Sequence, residues 1–321
     1  MRLAYNGKKY TCQTDETVLD ALLRQNIAIP HSCRRQICLS CLMCSLSGPP
    51  PTVAQQGLNE TLKLQNYFLA CACKPEQDME ISLPQETVAM EVPATVTDAY
   101  HLRAGVMNIG LQCAGVILDY KGGQSVILLN DDHIGAQCPI VSSASSRLTG
   151  RIDVHLDLSH ADCFAKWAIK NLCAGISMRL YGPIGRMQYR YTTVHQAILL
   201  AGKNAGLSAL VGILQDIFSH EHQGPVYLFH EVDDQAQLYL GDELNEISRY
   251  YPNFQYIPCV LHLSENPAPK GLANQRIRQT VADLKGWEVF ICGPKDFVNT
   301  LQKQAYLAGG NMHDIFVDIT K

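Results

Sequence analysis

The sequence predicts a multidomain chain of α+β and α/β class, in which a small mixed module and an antiparallel barrel precede a parallel α/β module. Three observations carry that expectation. The chain has 321 residues, long for one domain and suited to two or three. Residues 94–191 hold short apolar runs split by turn signals, the pattern of a small antiparallel barrel. From His195 onward apolar strands alternate with amphipathic helices, the mark of a parallel sheet with helical crossovers. The boundaries so drawn are 1–88, 94–191 and 195–321.

Composition excludes several classes. Hydrophobic residues make up 47% and charged residues 17%, which describes a globular protein with apolar material for several cores. Residues 1–90 carry eight basic and eight acidic groups, residues 91–194 nine and eight, and residues 195–321 nine and fourteen. No segment is a basic field, so nucleic acid is not an expected partner. No apolar run reaches the roughly 18 residues of a spanning helix, and the N-terminal MRLAYNGKKYTC lacks an apolar signal core. Thirteen cysteines without a signal peptide point to a reducing, cytoplasmic setting and to metal ligation, not to a disulfide framework.

The cysteines cluster. Residues 31–44 read HSCRRQICLSCLMC and residues 67–74 read YFLACACK. Cys33, Cys38 and Cys41 are separated by four and two residues, and Cys71 follows after twenty-nine more. This is the ligand spacing of a plant-type [2Fe–2S] cluster. Two irons need four thiolates; one short loop can supply three, and the fourth must return from a distant segment. Soft thiolates also favour such a cluster over hard cations. Buried structural cysteines and a zinc knuckle are the weaker alternatives. Cys44 and Cys73 lie close to proposed ligands, and Cys71 is preferred because it directly follows the Tyr67–Ala70 run. His31 reads as a loop histidine in preference to an outer ligand. Arg34 and Arg35, inside the loop, are candidates for steering an acidic partner.

Around this loop the N-terminal module has a strand at Arg2–Tyr5, an Asn6-Gly7 turn and a strand at Lys9–Gln13; Asn-Gly between strand runs is a strong hairpin signal. A helix follows, capped by Thr14 or Asp15, with Val18, Leu19, Leu22 and Leu23 at helical spacing. Leu42–Leu46 and Met79–Leu83 are further strands, and Gly57–Leu64 with Tyr67–Leu69 fills the return. This order resembles the β-grasp ferredoxin domain of NAD(P)H-dependent reductases that feed electrons to bacterial oxygenases. Gln36 and Leu39 stand where that family usually carries glycine.

Pro84–Pro93 reads as a linker. In the barrel region Val116–Leu118, Val126–Leu129 and Ile152–Leu158 are strand candidates, and His160–Leu172 is a helix candidate. The block resembles the flavin-binding barrel of ferredoxin reductases: Lys121-Gly122-Gly123-Gln124 matches a PGQ turn, and Gly182-Pro183-Ile184-Gly185 a GPFG turn. The resemblance implies FAD against Val141, Ser142 and Ser143. The family's R-x-Y-S is here Pro139-Ile140-Val141-Ser142, and its pyrophosphate-binding helix start falls at Ala161-Asp162-Cys163-Phe164.

The C-terminal block resembles the nicotinamide-nucleotide domain of the same reductases. Gly202, Lys203 and Gly206 occupy its glycine loop, and Cys292-Gly293-Pro294 matches its CGP turn. Glu231-Val232-Asp233 replaces G-x-R, which favours NADH over NADPH. His220 and His222 are read as loop residues without a third ligand. The resemblance implies an electron relay from NAD(P)H through flavin and cluster to a protein acceptor such as an oxygenase, with no catalytic side chain. The alternative is an electron-transfer or redox-sensing protein with the cluster alone.

Overall fold

The computed structural model describes the chain apart from residues 32–33, 35, 37–39, 57, 59, 85–89, 116, 144–145, 147–148, 186, 191–192, 263–271 and 321. Three sheets organise it. The first contains β1 (Arg2–Tyr5), β2 (Lys8–Thr11), β3 (Leu42–Ser45), β4 (Tyr67–Leu69) and β5 (Met79–Ser82) in the order β2-β1-β5-β3-β4. With it run α1 (Val18–Arg24) and α2 (Glu60–Leu64). The turn between β1 and β2 has Asn6 and Gly7 at φ 49° and 73°, the left-handed pair a two-residue hairpin requires.

α1 begins later than predicted. Asp15 is itself left-handed, at φ 61°, and cannot lead into a helix. The extended residue is Thr17, whose hydroxyl accepts from the Asp20 amide at 3.1 Å, so Thr17 is the cap and not Thr14 or Asp15. Val18, Leu19 and Leu22 then bury against Leu3, Met43, Phe68 and Leu69. Each such side chain contributes about 1.5–3 kcal/mol on burial.

The second sheet holds β6 (Met90–His101), β7 (Val106–Cys113), β8 (Ser125–Leu129), β9 (Gly135–Pro139), β10 (Arg151–Asp157) and β11 (Ser177–Ile184), in the order β10-β7-β6-β11-β8-β9. The β10–β7 and β11–β6 pairings are antiparallel. The supposed linker is largely strand where it is described: β6 starts at Met90 and runs through Pro93, which pairs with Arg179. Val92, Ala94 and Val96 alternate into the core, and that period of two draws the segment into the sheet. Residues 117–118 form no strand; Leu118 is buried while Ile117 faces solvent. The predicted helix shortens to α3 (Cys163–Asn171), and Gly182, Pro183 and Ile184 end β11 instead of forming a free turn.

The third sheet is parallel throughout: β12 (Ile198–Lys203), β13 (Val226–Asp234), β14 (Phe254–His262), β15 (Glu288–Gly293) and β16 (Ile315–Ile319), ordered β14-β13-β12-β15-β16. The helices are α4 (Leu207–Ser219), α5 (Gly241–Tyr250), α6 (Ala273–Thr280) and α7 (Lys295–Leu307). The chain reverses direction across the sheet at β12 and β15, the switch point where such folds open a crevice. By compactness the chain forms two units: residues Met1–Val96, Val126–Cys138 and His160–Ile184, and residues Thr97–Ser125, Pro139–Ser159 and Gly185–Lys321. Among the described residues no helix is long and apolar enough to cross a membrane.

Glu288 opens β15 as a buried carboxyl, with the Arg190 guanidinium 3.7 Å away and also bound to Asp314 at 3.1 Å. Burial pushes the Glu288 carboxyl up to about 7, against the pull of Arg190. The folded chain therefore holds this proton more tightly than the unfolded chain does. Its stability is full below the unfolded value of 4.5 and is lost as pH rises through about 7. Glu288→Gln should flatten this dependence by on the order of 3 kcal/mol, read from urea denaturation at about pH 5 and about pH 8.

Candidate functional site

The first sheet brings together the two described ligand candidates. Leu42 of β3 pairs with Leu69 of β4, and the Ala70 amide donates to the Cys41 carbonyl at 2.9 Å. Cys41, one residue before β3, thus lies beside the segment that carries Cys71 out of β4. The turn after β4 is set by Ala72 and Cys73 amides donating to the Leu69 carbonyl. The carbonyls of Ala70 and Cys73 accept from Leu19 and Val18, tying the start of α1 to this return.

The competing cysteines differ in setting. Cys73 is fully buried in the core, whereas Cys71 is half-buried at its margin. The Cys44 thiol donates to the Gln65 carbonyl at 3.4 Å. Cys33, Cys38, Arg35 and Leu39 lie outside the described residues, so only two of the four proposed ligands have a described place. Among the described residues no group of three or more metal-ligating side chains converges. Those two thiols, one from the loop and one from the return, suit a thiolate donor set for a cluster. Gln36 adopts φ 63°, a left-handed conformation that explains why glycine is usual there. Arg34 bonds Asp20 at 2.9 Å, so part of its charge is already answered. His31 turns its Nδ1 to the Ile29 carbonyl at 2.8 Å.

In the barrel-type sheet, Val141 and Ser142 are nearly buried. The Ser142 hydroxyl shares a 2.9 Å bond with the Tyr120 hydroxyl and accepts from the Asp153 amide at 3.1 Å. Tyr120 also donates to the Ser143 carbonyl at 2.7 Å. Segment 141–143 is therefore pinned from within. Its neighbouring cation, Arg151, is shared between Asp98 and Asp153, each at 2.9 Å. At the start of α3 the Asp162 carboxylate accepts the Ala165 amide at 2.9 Å, so this helix start carries its own anion. Among the described residues, neither place offers an unengaged cation or helix start to a pyrophosphate.

At the C-terminal end of the parallel sheet the glycines explain themselves by contact. A Cβ at Gly206 would strike the Cys292 carbonyl and come within 3.0 Å of the Gly293 amide, while one at Gly293 would lie 3.1 Å from the Lys203 Cβ. Gly202, Lys203, Gly206, Cys292 and Gly293 are thus brought together, and Pro294 caps α7. Burial pushes the Cys292 thiol well above its ordinary range. Lys203 Nζ bonds Glu231 at 2.9 Å and lies 3.6 Å from Asp233. Burial works against its ammonium, but the two carboxylates together hold its pKa above the ordinary value. The other Glu231 oxygen accepts the Ala273 amide at the start of α6, at 2.7 Å. Beside them opens a cleft of about 210 Å³ lined by Lys203, Glu231, Asn274, Asp296, Phe297 and Thr300.

Sequence reasoning missed the interior supports. His155 Nδ1 reaches the Ser208 hydroxyl at 3.2 Å, and Ser208 reaches the Tyr239 hydroxyl at 2.9 Å. His230 Nδ1 lies 3.2 Å from the Tyr256 hydroxyl. Burial lowers both histidines to about 4, so both rings are neutral. The Gly122 amide donates to buried Asp216 on α4 at 2.6 Å. His222, read as a loop residue, is buried and bonds Tyr189 at 2.9 Å. The one signal available was a polar residue breaking an apolar run, as His230 does in β13.

Residues 3–76 match the family described as 2Fe-2S iron-sulfur cluster binding domain, and residues 201–303 match the oxidoreductase NAD-binding domain. These define an iron–sulfur oxidoreductase. The chain thus joins an iron–sulfur cluster binding domain to an oxidoreductase NAD-binding domain, and its fold is similar to that of ferredoxin reductases. It is 24% identical to the phenol hydroxylase P5 protein of Acinetobacter pittii, over 92% of this chain and 86% of that one. It is also 24% identical to the toluate 1,2-dioxygenase electron transfer component of Pseudomonas putida, over 90% and 88%. Among solved structures, an Amycolatopsis cytochrome P450 reductase superposes with a TM-score of 0.69 at 22% identity, over 99% and 98% of the two chains.

Lys203→Met should leave the Glu231 carboxylate buried and unpaired, at a cost of about 3–5 kcal/mol. The double variant Lys203→Met/Glu231→Gln should recover most of it, because the amide oxygen still accepts from Ala273. Guanidinium denaturation of both variants checks this.

Proposed function

We propose that this chain is an NAD(P)H-dependent iron–sulfur flavoprotein reductase delivering electrons to a protein acceptor such as an oxygenase. The observation that carries this reading is the β3–β4 pairing, which sets the loop thiol Cys41 beside the return that bears Cys71. When bound, nicotinamide, flavin and cluster supply the redox chemistry: a two-electron hydride donor, a carrier that divides the pair, and a one-electron donor. Cys33, Cys38, Cys41 and Cys71 hold the cluster. Gly202, Gly206 and Gly293 let a dinucleotide approach the backbone at the strand ends. Glu231 and Asp233 set an anionic rim there, and Lys203 is already committed to it, so a 2′-phosphate is disfavoured and NADH is the donor.

The flavin is FAD, facing Val141, Ser142 and Ser143. Tyr120 and Asp153 orient that segment, and its backbone does the holding. With Arg151 committed to two aspartates and Asp162 capping α3, the FAD pyrophosphate meets no charged clamp among the described residues at either place. The functional modules are 1–88 for the cluster, 94–191 for flavin and 195–321 for nucleotide, in a cytoplasmic protein. The cluster-only alternative is not adopted, because relatives that are electron transfer components align along nine-tenths of the chain or more.

Two outcomes are expected of anaerobically purified protein. Flavin should be lost on desalting and regained on adding FAD, and NADH should bleach the cluster spectrum only with FAD present, at lower concentration than NADPH does. A cluster that dithionite reduces but NADH with FAD never does would sink the reductase reading.

A further inference from the structure

The segment bearing the cluster loop is tied at two places to one hairpin of the barrel-type sheet. The hairpin joins β8 to β9, and its tip is preset: Asn130 Oδ1 accepts the Ile134 amide at 2.9 Å, and the Asn130 carbonyl accepts the His133 amide at 3.0 Å. Arg179 of β11 braces it, with Nη2 3.1 Å from His133 Nδ1 and 3.4 Å from the Asn130 carbonyl. Against this tip His31 forms a parallel bridge to Ile134. The His31 amide donates to the His133 carbonyl at 3.1 Å, and the Gly135 amide donates to the His31 carbonyl at 3.0 Å. Further on, the buried Ser40 hydroxyl donates to the Gly135 carbonyl at 3.3 Å.

His31 stands two residues before Cys33, and Ser40 one residue before Cys41. His133 and Gly135 therefore hold one end of the loop that contributes three of the four proposed ligands, and Gly135 also holds the other. The hairpin itself is tightly packed there: a Cβ at Gly135 would lie 2.6 Å from the Leu128 carbonyl and collide with the Leu129 side chain. Every residue named here belongs to the first compact unit.

We propose that hairpin 130–135 is a positioning clamp for the cluster loop, so that the cluster is reduced and discharged in place and the acceptor comes to it. The proposal rests on the reading that Cys33, Cys38, Cys41 and Cys71 carry a cluster. A ferredoxin module that swung free between the two electron transfers would have to break the His31 bridge, and with it exchange buried backbone partners for water. Asn130 acts through the tip it shapes and is a positioning residue, touching no ligand.

The test uses the full chain with its cluster and added FAD. In the unaltered protein the His31 and Gly135 amides should resist hydrogen exchange as β8 does. Asn130→Ala should lose that protection, shift the electron paramagnetic resonance spectrum of the dithionite-reduced cluster, and slow cluster reduction by NADH severalfold. Iron content and flavin reduction should stay as they were. Asn130→Asp, which keeps an acceptor for Ile134, should restore both protection and rate. Gly135→Ala should act as Asn130→Ala does. Free exchange at His31 and Gly135 in the unaltered protein would overturn the proposal, as would lost protection with an unchanged spectrum and rate. Should NADH reduce nothing in the unaltered protein, the reductase reading falls, while exchange and the dithionite spectrum still decide the clamp.

Discussion

The constraint on which the proposed cluster site depends is that four thiolates from two separated segments must meet at one place. A loop can present three cysteines by itself, but it cannot supply the fourth without a scaffold that returns the chain. Here the return is built from the β3–β4 ladder, with Leu42 against Leu69 and the Ala70 amide on the Cys41 carbonyl. The same return caps α1 through the Ala70 and Cys73 carbonyls, and α1 in turn buries Val18, Leu19 and Leu22 in the core. On the proposed ligand set, fold and ligand geometry are therefore one construction. A change that slipped β4 by a single residue would turn its side chains over and move Cys71 away together with the core.

The second unit is organised by a different constraint, the close approach of backbone to backbone. Gly206 meets the Cys292 carbonyl, and Gly122 meets the Gly212 carbonyl of α4, where in each case a Cβ would collide. Around these approaches the polar groups are answered internally: Lys203 by Glu231, Glu231 by the start of α6, Ser142 by Tyr120 and Asp153, Gly122 by Asp216. Charge that could otherwise meet an anionic cofactor is thus directed inward. Among the described residues, what these places leave for ligand recognition is largely backbone shape, and shape without charge gives weaker holding.

Much of this was legible in the sequence, for identifiable reasons. The Asn6-Gly7 hairpin and the alternation of β12, α4 and β13 are local patterns, and each stands in the fold close to where it was read. The errors also have local causes. Asp15 looked like a cap, but a left-handed turn at that residue passed the role to Thr17. Pro93 looked like a linker residue, yet the buried alternation of Val92, Ala94 and Val96 outweighed its lack of an amide proton. β16 was not foreseen, being a short edge strand that alternates weakly. The interior bonds of Ser142, Lys203 and His155 join residues far apart in the chain, and no spacing rule reports them. The same holds for His31 and Gly135, which meet across roughly a hundred residues.

The most direct test of the account compares Cys71→Ser with Cys73→Ser in anaerobically prepared protein, measuring iron, acid-labile sulfide and the reduced-cluster resonance. If the β3–β4 return closes the ligand set through Cys71, Cys73→Ser keeps two irons per chain with an unaltered resonance, and Cys71→Ser loses the cluster or shifts its signal toward oxygen ligation. A Cys71→Ser protein with a normal cluster, beside a Cys73→Ser protein without one, would contradict it.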